Sequence, residues 1–149
     1  MNESAPMMGD VFLIDDNPVN IRRLAEILKP AGVQVRAATS GARALEAIRA
    51  HPPDLILLDV EMPDKNGFEV CEGLAAEPAT RSIRVVFISA HDDPMQKTRA
   101  FRAGGVDYIA KPFSTEEVLA RVATQLALVR LTRENEALKR ELAAARGRP

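Results

Sequence analysis

Residues 55–67 read Leu55-Ile56-Leu57-Leu58-Asp59-Val60-Glu61-Met62-Pro63-Asp64-Lys65-Asn66-Gly67. The opening run has no polar alternate position, so a strand formed here is buried on both faces and lies inside a sheet. An aspartate closes the run, and a Pro, Asp, Asn and Gly stretch then turns the chain. The arrangement recurs three times. Val11-Phe12-Leu13-Ile14 precedes Asp15-Asp16, Val85-Val86-Phe87-Ile88 precedes Ser89-Ala90, and Val106 to Ala110, which includes Tyr108, precedes Lys111-Pro112. Helical patterns lie between these runs, and such alternation predicts an α/β fold with a parallel sheet covered on both faces.

The helices are placed by their ends. Asn17 is a candidate N-cap with Pro18 in the first turn, the stripe is Ile21, Leu24, Ala25 and Leu28, and Pro30-Ala31-Gly32 closes the helix. Val33, Val35 and Ala37 alternate with Gln34 and Arg36, which predicts a half-exposed strand near an edge. Ser40 caps a second helix with Ala44, Leu45 and Ile48 inward, and a third carries Phe68, Val70, Cys71 and Leu74 as far as Pro78. A fourth helix runs from about Pro94 to Ala103 before Gly104-Gly105. Ser114 with Glu117 three residues later reads as a capping box.

The helix that starts there does not stop where a compact domain would. From Thr115 to Arg146 there is no Gly or Pro. Val118, Leu119, Val122, Leu126 and Val129 form a stripe suited to docking on a sheet. Heptads then take over, with Leu128, Asn135 and Leu142 at one core position and Leu131, Leu138 and Ala145 at the other. In a parallel partner Glu134 would face Lys139, Glu141 would face Arg146, and the lone Asn favours two in-register strands. The expected organisation is a frayed terminus at 1–9, a domain over 10–126, and a helical coiled-coil linker over 127–149.

Bulk composition excludes more than it identifies. With 149 residues the chain is long enough for one self-sufficient core, and Lys plus Arg at 20 against Asp plus Glu at 21 gives no bulk attraction to nucleic acid or an anionic membrane. Cys71 is the single cysteine, so no internal disulfide is available, which suits a reducing cytoplasm. No apolar run approaches the ~18 residues of a membrane span, and the start lacks the pattern of a secretory signal. A cytoplasmic location is the expectation.

If the strands are parallel, Asp15, Asp16, Asp59, Ser89 and Lys111 emerge at the carboxyl edge, where open α/β sheets place their sites. Crowded carboxylates must take up protons or bind a cation, and oxygen ligands without His or Cys favour Mg²⁺ or Mn²⁺. Lys111 supplies a positive charge for phosphate oxygens, Ser89 a hydroxyl donor, and a free carboxylate can attack phosphorus to give an acyl phosphate. The pattern reads as a phosphoryl-transfer site.

From about Gly9 to Leu126 the chain resembles the receiver domains of bacterial two-component response regulators. The likeness rests on Asp15-Asp16, on Leu57 to Pro63 with Gly67, on Ser89-Ala90, on Ala103 to Tyr108, and on Lys111-Pro112-Phe113. It implies a flavodoxin-like, doubly wound five-stranded sheet of order 2-1-3-4-5. It implies that Asp59 accepts the phosphoryl group, that Asp16 and Asp59 bind Mg²⁺ directly and Asp15 through water, and that the Glu61 carbonyl completes the protein ligands. Lys111 would contact the phosphoryl group, with Ser89 and Tyr108 as switch residues reporting to the fourth helix, fifth strand and fifth helix. Glu61 and His91 would border the path of the hydrolytic water. Gly105 stands where alanine is usual.

The partners implied are a sensor histidine kinase or phosphotransfer protein and, through Leu128, Leu131, Asn135, Leu138 and Leu142, a parallel homodimer. No nucleic-acid or membrane contact is expected within these residues. The 23 residues after Leu126 are too few for an output domain, so the expected output is control of dimerisation or of a downstream output domain, and no enzyme beyond self-phosphorylation and dephosphorylation is expected within these residues. A phosphatase or phosphotransferase acting through Asp59, or a static scaffold, are the competing readings.

Overall fold

The computed structural model describes residues 7–147. Its elements alternate as the sequence predicts: β1 (Asp10–Ile14), α1 (Pro18–Leu28), β2 (Gln34–Ala38), α2 (Gly41–Ala50), β3 (Leu55–Asp59), α3 (Gly67–Ala76), β4 (Arg84–Ser89), α4 (Pro94–Arg102), β5 (Asp107–Ala110) and α5 (Thr115–Arg146). The strands form one parallel sheet of order β2-β1-β3-β4-β5. Every residue of β3 is buried, as its unbroken apolar run requires.

Two apolar layers flank this sheet. Val11, Leu13, Leu55, Leu57, Val86 and Ile88 face α1 and α5, which contribute Leu24, Leu28, Val118, Val122 and Leu126. Phe12, Ile14, Ile56, Leu58, Val85 and Phe87 face the other way, onto Ile48 of α2, Phe68, Val70 and Leu74 of α3, and Ala100 of α4. Successive strand residues thus feed opposite layers, which is the period-two rule at work.

Side chains close all five helix N-termini. Asn17 accepts from Val19 N–H, Ser40 from Arg43 N–H, Asn66 from Glu69 N–H, Asp93 from Gln96 N–H and Ser114 from Glu117 N–H, over 2.9–3.2 Å. Each such cap is worth about 1 kcal/mol, and together they fix where each helix leaves the loop above the sheet edge.

Strand β2 is the half-exposed edge strand that the alternation predicts, with Ala37 exposed and Arg36 half-buried. Arg36 lies over the Phe12 ring at 5.3 Å and pairs with Asp10 at 3.1 Å, so its long stem covers apolar surface that alanine cannot reach. The frayed terminus expected at 1–9 falls outside the described residues for 1–6. Of residues 7–9, Met7 N–H donates to the Ala31 carbonyl at 2.8 Å and the Gly9 carbonyl accepts from Gln34 N–H at 3.0 Å, while Met8 is exposed.

Candidate functional site

Strand order puts the switch point of the sheet between β1 and β3, because the chain goes to β2 on one side of β1 and to β3 on the other. Asp15 and Asp16 follow β1 there, and Asp59 ends β3. One oxygen from each of these three carboxylates lies within 4.8 Å of the others. Asp15 and Asp59 are buried, and Asp16 is exposed. At that separation like charges repel by about 3 kcal/mol per pair at an effective dielectric near 20.

Lys111, after β5, answers part of that charge. Its Nζ lies 3.3 Å from Asp59 Oδ1 and 3.5 Å from Asp15 Oδ2. Lys111 N–H donates to the Ser89 carbonyl at 2.7 Å, which anchors the lysine beside β4. Asp15 Oδ1 accepts from Asn17 N–H at 2.9 Å, and Asp59 Oδ1 accepts from Glu61 N–H at 3.4 Å. Even so, burial first and the Asp15 charge second push Asp59 up to about 6, against the pull of Lys111 and the Glu61 N–H. One ammonium therefore does not neutralise the cluster. The donor set of carboxylate oxygens, with a residual negative charge, fits a hard divalent cation.

Gly67 shows why the loop after Asp59 needs a glycine. A Cβ there would stand 2.4 Å from the Asp59 carbonyl oxygen, and Gly67 N–H donates to the Val60 carbonyl at 2.8 Å. No side chain fits that approach. The loop is tied at its far end by Asp64, whose carboxylate accepts from the Ala42 and Gly41 N–H groups at the start of α2, at 3.4 and 3.5 Å.

Behind the cluster, Ser89 and Tyr108 meet through one residue. His91 N–H donates to Ser89 Oγ at 3.1 Å, the Tyr108 hydroxyl donates to the His91 carbonyl, and the His91 ring contacts the Glu61 carboxylate. Ser89 is fully buried and Tyr108 is 7% exposed, so the tyrosine points inward. A cavity of about 690 Å³ opens over the acidic groups, and Gln96 and Arg99 of α4 also line it.

The site residues expected from sequence thus come together: Asp15, Asp16, Asp59, Glu61, Ser89, Tyr108 and Lys111 occupy one edge. Leu128, Leu131, Asn135, Leu138 and Leu142 do not join it and lie exposed on the free half of α5. The His91 junction, the Asp64 tie and the α4 wall were missed. Backbone groups make the first two, and no spacing in the sequence announces a carboxylate that caps a helix other than its own.

Residues 11–123 match the family model of the response regulator receiver domain. The chain belongs to this family, the receiver domains of two-component response regulators. The transcriptional regulatory protein KdpE of Mycobacterium tuberculosis is 41% identical over 112 residues, covering 75% of this chain and 48% of that protein. The DNA-binding response regulator MtrA of Mycolicibacterium smegmatis is 33% identical over 120 residues, covering 80% of this chain and 51% of that protein. This chain therefore spans about half the length of these curated relatives. Among solved structures, a response regulator from Chloroflexus aurantiacus superposes with a TM-score of 0.77 at 34% identity, over 80% of this chain and 98% of the other.

Proposed function

We propose that Asp59 is a phosphoacceptor that receives a phosphoryl group from the phosphohistidine of a partner kinase and converts it into a change of surface. The observation that carries this reading is the meeting of Asp15, Asp16, Asp59 and Lys111 at the switch point of the sheet. An Asp59 oxygen forms the new bond to phosphorus as the phosphorus–nitrogen bond of the donor breaks. The product is an acyl phosphate, and the donor imidazole leaves.

Asp15, Asp16 and Asp59, with the Glu61 carbonyl, would hold Mg²⁺. When bound, that ion offsets the charge of the carboxylates and of phosphoryl oxygens. Lys111 already pairs with Asp59 and can pass its donors to a phosphoryl oxygen without leaving its anchor at Ser89. The Ser89 hydroxyl, which now accepts from His91 N–H, has its own hydrogen free to donate to that phosphate. Because His91 also holds Tyr108, a pull on Ser89 bears directly on the tyrosine and on the face made by α4, β5 and α5. Glu61 and His91 meet beside the cavity and tune how long the phosphate lasts.

The output reading is a parallel homodimer through the free half of α5, whose leucines Leu128, Leu131, Leu138 and Leu142 are exposed. Charge balance supports no nucleic-acid role for these residues, no helix among the described residues is long and apolar enough to cross a membrane, and a lone buried thiol suits the reducing cytoplasm.

The test separates a switch from a hydrolase. With Mg²⁺ and a small acyl phosphate the protein should take up phosphate at Asp59 and should not turn over added phosphomonoesters. Steady release of product from such esters would make it an enzyme instead, and no uptake under any Mg²⁺ concentration would make it a scaffold.

A further inference from the structure

Past Leu126, α5 leaves the body of the domain, yet its course is fixed. Arg133, about two turns further on, reaches back so that Nη2 lies 2.5 Å from Asp54 Oδ1. The other oxygen of that carboxylate accepts from Asp10 N–H at 2.8 Å, and Asp54 N–H donates to the Asp10 carbonyl at 2.9 Å. Asp54 therefore joins the start of β1, the residue before β3 and the helix extension. Gly9 lies under the same junction, where a Cβ would come within 2.7 Å of Leu126 Cδ2 and 3.4 Å of Asp54 Oδ2. The chemistry at Asp59 uses none of these groups.

The position of Arg133 on the helix gives the junction its meaning. With Leu128, Asn135 and Leu142 at heptad position a and Leu131 and Leu138 at d, Arg133 occupies f. At ~100° per residue, f stands about 170° from the middle of the a/d stripe. The domain thus sits against one side of the helix, and the apolar stripe faces directly away from it. Leu131, Leu138 and Leu142 are 54%, 57% and 57% exposed there. A parallel copy would set Glu134 against Lys139 and Glu141 against Arg146, whereas an antiparallel copy would set those glutamates against each other.

We propose that the Asp54–Arg133 pair is a clamp that holds the helix extension in one orientation on its own domain, so that the stripe is presented to a parallel second copy of this chain and the two domains ride on the outer flanks. The inference rests on the coiled-coil reading above and adds what aims the coil. An exposed ion pair contributes little to stability, and Arg133 is 66% exposed, so the effect of the clamp is on direction. Its anchor is the strand that ends in Asp59, which makes the base of the coil continuous with the phosphoacceptor strand.

The experiment measures an intramolecular distance in the full chain. Spin labels are placed at Ala79→Cys on the domain and Ala144→Cys on the helix, in a Cys71→Ala background diluted with unlabelled protein. The clamp predicts a narrow distance distribution that broadens in Arg133→Glu and stays narrow in Arg133→Lys. Identical distributions in the parent and in Arg133→Glu overturn it. Solution mass of the same samples separates the two ideas. A dimer whose distances ignore Arg133 leaves the coil standing and removes the clamp; a monomeric parent removes the coil and with it the outward pairing.

Discussion

Burial and the Asp15 carboxylate keep Asp59 protonated to a higher pH than an ordinary aspartate, up to about 6 from 3.8. A carboxyl raised in the folded state favours the fold fully below its unfolded value, and loses that advantage as pH rises through the folded one. Near pH 7.5, without a divalent cation, the ionised group therefore weakens the fold by up to about 3 kcal/mol. Asp59→Asn removes the charge and keeps the shape. In Mg²⁺-free buffer the variant should melt above the parent at pH 7.5, with the gap narrowing toward pH 4.5. A lower melting temperature for the variant at pH 7.5 would mean that the Lys111 pairing outweighs the repulsion. Gly105 offers a second test at this scale. A Cβ there would meet the buried Phe87 ring at 2.6 Å, which accounts for glycine where the resemblance leads one to expect alanine. Gly105→Ala should cost about 1–3 kcal/mol by denaturant unfolding, and Phe87→Leu should relieve part of that cost in the double variant. Additive losses would show that the ring is not the obstacle. The acidic residues and Lys111 were legible because each follows an apolar run. The three contacts of His91 were not, since two of them belong to its backbone.

Among the elements, α5 was legible as one helix because nothing between Thr115 and Arg146 breaks it. The end of its sheet-docking stripe was legible too, since Val118, Val122 and Leu126 are buried while Leu131, Leu138 and Leu142 are exposed. What the pattern could not reveal is the angle at which the free half leaves the domain. In the clamp proposed above, that angle is held by Arg133 on Asp54, far away in sequence. Strand β2 is the half-exposed edge strand that its alternation predicts, but the alternation did not announce that Arg36 buries its stem while its head finds Asp10. The homodimer proposed through the free half of α5 yields a direct expectation. Leu138→Asp puts two like charges at a core position and removes roughly 2 kcal/mol of burial from each helix. The dimer dissociation constant, read by sedimentation, should rise more than about 100-fold while the melting of the domain stays unchanged. Unchanged association would place the dimer contact elsewhere. Cys71, on the buried face of α3, is pushed up to about 11, mainly by burial, so thiol reagents should modify it only on unfolding. Rapid modification of the folded protein at pH 8 would contradict the packing of that helix.

At the scale of the whole molecule, a parallel sheet gathers the ends of β1, β3, β4 and β5 at one edge, and the same sheet anchors the helix extension at the opposite edge through Asp54. The strand that carries Asp59 runs between the two. Local sequence gave the elements, and family resemblance gave the strand order, because pairing between strands is decided by packing that no single segment encodes. In the function proposed above, the whole architecture serves to load one carboxylate, Asp59, with phosphate. Intact-mass spectra of the parent and of Asp59→Asn, each incubated with Mg²⁺ and a small acyl phosphate, test it most directly. A single added phosphoryl group in the parent and none in the variant is the predicted result; an unmodified parent, or a variant labelled to the same extent, would contradict it.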